Sequence, residues 1–457
     1  MKKDYEKNAG KSARRAALNV LMRVSSTDAY ADILLDKELK AFGPKDASFA
    51  TELGYGVLRR CITLDWLVDR FSAIKAKRLE LRVLNALRLG LYQIYFLTKV
   101  PASAAINESV ELVKNTTGSG KAGFVNAVLR KAAQEKDSIS FPVQFNEPLK
   151  HVSINFSHPE WLVRRWIERF GVDSTIELCN ANLNPPPKTI RANLLKNTRQ
   201  GLMDELKKEG FSGGPTRFSP SGIFISDAAA SKKLNPWDER FYIQDEASQI
   251  VPLLLSLSPG QTILDACAAP GGKAAHIAEI MGDTGIVYAL DKREARLKTL
   301  KDSLNRLGIT IVRPIEADST MPLGFIKGEK RRFDATLVDA PCSGLGVLRR
   351  VPDIKMKRKE ADLKALSEAQ SLILQNISGY VKKAGLLVYS VCSTEPEETI
   401  DVVKGFLEKN KMFEIEDARG VLPDECSGLV DERGFLLTLP HKHDMDGFFA
   451  ARLRCKA

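Results

Sequence analysis

None of the seven cysteines forms a CxxC pair and the five histidines do not join them at zinc spacing, so no metal site is expected. No run approaches the roughly 18 apolar residues that a bilayer-crossing helix needs. The lysine-rich start is followed only by a short apolar stretch, AALNVLM, that continues as an amphipathic helix, and no secretory peptide is expected. A Walker loop is also missing. Alanine follows Lys273 where that loop carries Ser or Thr, which disfavours ATP hydrolysis. Scattered cysteines without a disulfide framework suit a reducing compartment, so the expected location is the cytoplasm.

The chain is long enough, at 457 residues with 44% hydrophobic content, for two or three domains with substantial cores. Its net charge of +11 is uneven: residues 1–150 hold 25 Lys and Arg against 16 Asp and Glu. A basic first third beside another domain can gather phosphate backbone by counterion release, which makes RNA the expected partner.

Apolar residues recur at three- and four-residue spacing from 12 to 132, in ARRAALNVLMRV, FATELGYGVLRRCITLDWLVDRF and LRVLNALRLGLYQIYFL. This predicts an all-α domain over 1–145. A mixed connector and small α/β subdomain is expected over 146–240, with a helix in SHPEWLVRRWIERFG and a strand in KTIRANLLK after Pro185, Pro186 and Pro187. Trp161 and Trp166 share a helix face poorly, so at least one is expected to anchor that helix against the catalytic domain. Arg191 and Asn193 are candidates for touching substrate.

The last part, 241–457, carries three motifs in order: DACAAPGGK from Asp265 to Lys273, DAPCSG from Asp339 to Gly344, and YSVCS from Tyr389 to Ser393. TILDA reads as a strand running into a small-residue loop, with a helix beginning near Gly272. Residues with little side chain let a nucleotide-like cofactor lie against the backbone there. The apolar run IVYAL ends in Asp291, 20 residues after Gly271, the separation at which doubly wound folds place a ribose-binding carboxylate. ITIVRPIEA ends in Asp318 and FDATLVD in Asp339, so three successive strands deliver a carboxylate to one sheet edge. Singly, each Asp is more often a turn or cap residue.

Methylating carbon 5 of cytosine requires a thiolate to add at carbon 6 and a group to meet the ring as charge develops. Cys342 and Asp339 share one loop, and Cys392 follows another strand, so two thiols and a carboxyl are expected to converge.

On these motifs the chain resembles the NOL1/NOP2/Sun family of S-adenosylmethionine-dependent RNA cytosine-5 methyltransferases. The resemblance implies that Cys392 attacks the base, Cys342 assists product release and Asp339 contacts the cytosine edge beside the cofactor. It further implies that the backbone of Cys267, Ala268, Ala269, Pro270, Gly271, Gly272 and Lys273 surrounds the methionine end, that Asp291 holds the ribose and that Asp318 meets the adenine. Val391 departs from the family pattern, standing where threonine usually precedes the nucleophile. DGFFAARL resembles the closing strand of these enzymes, with Phe448 and Phe449 expected to pack the sheet.

VPASAAINESVELVK and KAGFVNAVLRK, from Val100 to Lys114 and Lys121 to Lys131, resemble the RNA-binding NusB fold, which makes Arg14, Arg15, Arg130 and Lys131 candidate phosphate contacts. Basic runs at Lys330–Arg332 and Arg349–Lys359 could clamp RNA around a flipped base. The combination most resembles members of the family that act on 16S rRNA, either naked or in a partly assembled small subunit. A tRNA cytosine-5 methyltransferase and a non-catalytic RNA-binding assembly factor are the alternatives.

Overall fold

The computed structural model describes residues 12–114, 119–226, 234–324 and 332–456. Its contacts divide the chain into two units, Met1–Pro185 with Leu348–Lys357, and Pro186–Val347 with Arg358–Ala457.

The first unit is helical among its described residues, as the periodicity predicts. Its first helix, Ala13–Ser26, starts where the Ser12 hydroxyl accepts from the Arg15 amide at 3.2 Å, and it buries Ala17, Leu18, Leu21 and Val24 along one stripe. The helix Leu81–Phe96 is the centre of the unit, buried at every position from Val83 to Ile94. Such burial takes in Arg88, whose guanidinium is neutralised by the Asp65 carboxylate through two bonds of 2.7 Å.

Three more helices, Pro148–Asn155, Glu160–Phe170 and Val172–Leu183, belong to the same unit. Trp166 is the anchor of the middle one, 1% exposed, with its ring 5.6 Å from that of His158. That ring contact lies inside the helical unit.

The second unit opens with a small antiparallel sheet of β1 (Lys188–Ala192), β2 (Gly213–Pro215), β3 (Gly222–Ile225) and β4 (Phe241–Ile243), in the order β2-β3-β1-β4. Ile190, Ala192, Ile223 and Phe241 on one face pack with Leu202 and Leu206 of the helix Arg199–Lys208.

The larger sheet contains β5 (Thr262–Asp265), β6 (Ile286–Asp291), β7 (Val312–Glu316), β8 (Phe333–Asp339), β9 (Val381–Val391), β10 (Phe413–Ile415), β11 (Leu436–Leu437) and β12 (Phe449–Cys455). The order is β10-β12-β9-β8-β5-β6-β7, parallel from β9 to β7, with β12 antiparallel to β9. Chain order reverses between β5 and β8, and the crevice at such a switch point is where open α/β sheets bind ligands. β12 begins with Phe449, and both Phe448 and Phe449 are buried as expected.

Trp166→Ala should lower unfolding free energy by about 3–5 kcal/mol, because so large a void cannot close in a packed helical core. Urea denaturation followed by far-ultraviolet circular dichroism reads the loss.

Candidate active site

Each sequence motif ends at the carboxyl edge of a strand of the larger sheet. β5 delivers Asp265 and then the loop 267–271, after which the helix Gly272–Ile280 begins. Gly271 takes φ +114°, a conformation that side chains rarely adopt, and a Cβ on Gly272 would stand 3.0 Å from the Tyr242 ring. Gly271 thus holds a backbone that favours glycine, and a side chain at Gly272 would press on the Tyr242 ring.

Asp339, at the end of β8, joins all three motifs. Its carboxylate accepts from Lys273 Nζ at 2.7 Å and from Ser390 Oγ at 2.7 Å. Burial works against the Lys273 ammonium, yet the carboxylate outweighs it and holds the lysine pKa above its usual value. The same positive charge acts on the Cys392 sulfur.

Cys342 and Cys392 converge, with their Sγ atoms 3.2 Å apart. The bond to Cys392 and then burial push the Cys342 thiol well above its ordinary value.

The loops carrying them are fastened from below. The buried Glu398 carboxylate accepts from the Ser343 amide at 2.7 Å and from its hydroxyl at 2.6 Å, while Gln370 Nε2 donates to the Pro341 carbonyl at 3.0 Å. Gly346 donates to the Cys392 carbonyl at 3.0 Å and accepts from Gly447 at 2.8 Å.

A cleft of about 250 Å³ lies beside this cluster, lined by Tyr242, Gln244 and Ser248, by Asp265, by the loop from Cys267, and by Lys273 and Asp339. One oxygen of the buried Asp265 carboxylate, Oδ2, has no hydrogen-bond partner. Burial, reinforced by Asp339, pushes the Asp265 pKa up to about 7. A small-residue cradle with an orphaned carboxylate oxygen fits the cationic amino-acid end of S-adenosylmethionine. A larger cavity, about 360 Å³, lies between the helix Arg199–Lys208 and β2 and β3, away from this strand edge and from all three motifs.

Asp291 and Asp318 do not line the cleft. Asp291 ends β6, accepts from the Arg293 amide at 2.9 Å and pairs with Arg296 at 3.2 Å, and Arg296 also donates to the Ala269 carbonyl at 2.5 Å. Asp318 stands two residues beyond β7, with Lys292 at 2.7 Å, and the hydrogen bonds of Lys292 and Thr320 hold its pKa at about 2.

Several expectations are corrected. Arg191 and Asn193 touch no open surface: Arg191 is fully buried in a bidentate pair with Glu279, and Asn193 donates to the Glu239 and Leu307 carbonyls, both at 2.9 Å. Arg14 is turned inward to Gln93 at 2.7 Å, over the Phe49 ring, whereas Arg130 and Lys131 are exposed. The run at Arg349–Lys359 is largely structural. Lys355, 2% exposed, donates to the Arg59 carbonyl at 2.6 Å, Lys357 donates to that of Ala29 at 2.7 Å, and Arg358 donates to that of Ser343 at 2.9 Å. Of the run at 330–332, only Arg332 falls within the described residues, and it donates to the Val381 carbonyl at 3.1 Å.

Sequence reasoning missed the side chains of Lys273, Ser390 and Glu398 as partners of the cluster. Lys273 and Ser390 lie inside the motifs, where a signal was available. Glu398 had only its closeness in sequence to Cys392.

Folding raises the Asp265 pKa from 3.8 to about 7, so the unfolded chain loses this proton first as pH rises. The contribution to stability is complete below about pH 4 and disappears as pH climbs through about 7. Asp265→Asn should flatten that part of the pH profile, read by urea unfolding of the ligand-free protein across the interval.

The chain matches the family described as 16S rRNA methyltransferase RsmB/F over residues 252–454, the NusB family over 11–134 and a RsmF/B-like ferredoxin-like domain over 158–231. It is 37% identical to the probable ribosomal RNA small subunit methyltransferase B of Bacillus subtilis, covering 97% of this chain and 99% of that one. A protein of the same description from Synechocystis is 34% identical, with 97% and 99% covered. A solved methyltransferase homologue from Pyrococcus horikoshii is 27% identical at TM-score 0.57, over 67% of this chain and 97% of its own. Motifs, fold and full-length similarity agree that the chain belongs to the RsmB/F family of 16S rRNA methyltransferases, with a NusB-type helical domain and a ferredoxin-like domain ahead of the methyltransferase domain.

Proposed function

We propose that the protein transfers a methyl group from S-adenosylmethionine to carbon 5 of a cytosine in 16S rRNA, in the cytoplasm, through a covalent adduct at Cys392. The observation that carries this reading is the meeting of two thiols, 3.2 Å apart, beside the Lys273–Asp339 ion pair at a switch-point cleft.

Cys392, at the end of β9 and within 3.2 Å of the Cys342 sulfur, is the nucleophile of this reading, and Cys342 is its partner thiol. Its sulfur adds to carbon 6 and makes carbon 5 electron-rich. Asp339 steadies the cytosine edge, kept in place by Lys273 and Ser390. The cofactor supplies the methyl group. After the carbon 5 proton leaves, Cys342 assists release of the carbon–sulfur bond. The backbone of Cys267, Ala268, Ala269, Pro270, Gly271, Gly272 and Lys273 would surround the methionine end, and Asp291 and Asp318, beyond the cleft and at or just past the ends of β6 and β7, would take the ribose and the adenine in place of their Arg296 and Lys292 partners. Activation in this reading comes from the Cys392 sulfur.

Residues 1–145 then serve RNA docking, with Arg130 and Lys131 exposed for phosphate, 146–240 connect, and 241–457 catalyse. Val391, fully buried in β9, packs the strand before the nucleophile, and its lack of a hydroxyl leaves the cluster intact.

Labelled methyl transfer from S-adenosylmethionine should yield 5-methylcytidine in unmodified 16S rRNA or a small-subunit assembly intermediate. Label in tRNA alone would instead favour a tRNA cytosine-5 methyltransferase, and label in neither a non-catalytic binding factor. Cys392→Ala should abolish transfer, by about 10³-fold or more, as expected when a covalent route is removed. Cys342→Ala should accumulate a protein–RNA adduct on denaturing gels, and Cys342→Ala without adduct would refute the release role.

A further inference from the structure

Arg191, Gln244 and Ser248 form a chain of hydrogen bonds whose direction is forced by the chemistry of its members. Arg191 donates through Nε and Nη2 to the two oxygens of Glu279, at 3.1 and 2.7 Å, in a pair with no solvent exposure. Its Nη1 donates to Gln244 Oε1 and, at 2.9 Å, to the Gly272 carbonyl. A guanidinium has no acceptor. The Gln244 amide must therefore turn its oxygen to Arg191, and its nitrogen must point the other way, however the amide is drawn.

That nitrogen, Nε2, reaches Ser248 Oγ at 3.1 Å and the Ser248 carbonyl at 3.3 Å. An amide nitrogen only donates, so the Ser248 oxygen accepts here and its own proton is left for another partner. Among the described residues no acceptor takes that proton. Ser248 is half-buried and lines the same cleft as Asp265, whose Oδ2 is orphaned. The cleft thus offers a hydroxyl donor and an unused carboxylate oxygen together, which is the complement of an α-amino acid zwitterion.

We propose that Ser248 donates to the carboxylate at the amino-acid end of S-adenosylmethionine, aimed by the Arg191–Gln244 relay, while the ammonium is left for Asp265. This rests on the cofactor reading above and adds a ligand residue that lies outside the glycine loop and the series of strand-end aspartates. It also gives the small sheet a role: β1 supplies Arg191 at one end of the relay, Gln244 follows β4, and Ser248 at the other end lies on the short helix Glu246–Ile250.

The test compares binding of S-adenosylhomocysteine, which keeps the amino-acid end, with that of 5′-methylthioadenosine, which lacks it, by isothermal titration calorimetry on the full chain. Ser248→Ala should weaken S-adenosylhomocysteine about tenfold or more, as expected for a hydrogen bond to a charged group, and leave 5′-methylthioadenosine unchanged. Ser248→Thr keeps the hydroxyl and should restore most of the affinity. Gln244→Glu replaces the donor with an acceptor, draws the Ser248 proton to itself, and should match the loss in Ser248→Ala. Equal weakening of both ligands by Ser248→Ala, or no change in either, would overturn the proposal. Failure of the unaltered protein to bind S-adenosylhomocysteine would overturn the cofactor reading and the proposal with it, whereas nucleoside analysis of methylated RNA judges the cytosine assignment separately.

Discussion

The Asp339 carboxylate is the constraint on which the site depends, because it belongs to one motif segment and bonds the other two. Its two oxygens are held from opposite sides by Lys273, at the start of the helix after β5, and by Ser390, at the end of β9. β8 lies between β5 and β9 in the sheet, so a carboxylate at its end is within reach of both neighbours. Ammonium and hydroxyl hold the carboxylate in place before substrate arrives. Preorganisation of this kind avoids reorientation cost during reaction, which is how such sites gain most of their advantage.

Buried charge is used elsewhere for positioning rather than stability. The Arg191–Glu279 pair lies wholly out of water, and a pair so buried commonly contributes no net stability over well-packed apolar groups. Its geometric consequence is clearer. It fixes the small sheet to the helix that starts at Gly272 and orients the Gln244 amide toward the cleft. Glu398 acts similarly beneath the proline-cysteine loop, where one carboxylate satisfies both the amide and hydroxyl of Ser343.

The positive charge of the chain divides in the same way. Arg14, Lys355, Lys357 and Arg358 spend their donors on protein carbonyls and an amide, and only some of the basic residues, such as Arg130 and Lys131, remain exposed for phosphate. Among the described residues no helix is long and apolar enough to cross a membrane. Residues Leu348–Lys357 follow the proline-cysteine loop in sequence yet belong to the helical unit, so this basic run is structural where a clamp around RNA was expected.

The order and type of elements were legible because helical and strand periodicities are local, and the three motifs were legible because glycine, proline, cysteine and strand-end aspartate each carry a chemical reason to stand where they do. The sequence by itself determined the helical first part, the alternating second part and the candidates Cys342, Cys392 and Asp339. It also placed Gly271, where the backbone takes a positive φ that favours glycine. Only the tertiary structure decided which polar side chains face each other. Arg191 on β1 and Asn193 just past its end alternate like surface residues, but both are turned into the interior, and the Lys273–Asp339 and Arg191–Gln244 contacts join residues far apart in the chain. Periodicity records which face of an element is apolar. It carries no information on which distant partner will neutralise a charge, because that pairing depends on strand order, and strand order is set by packing across the whole sheet.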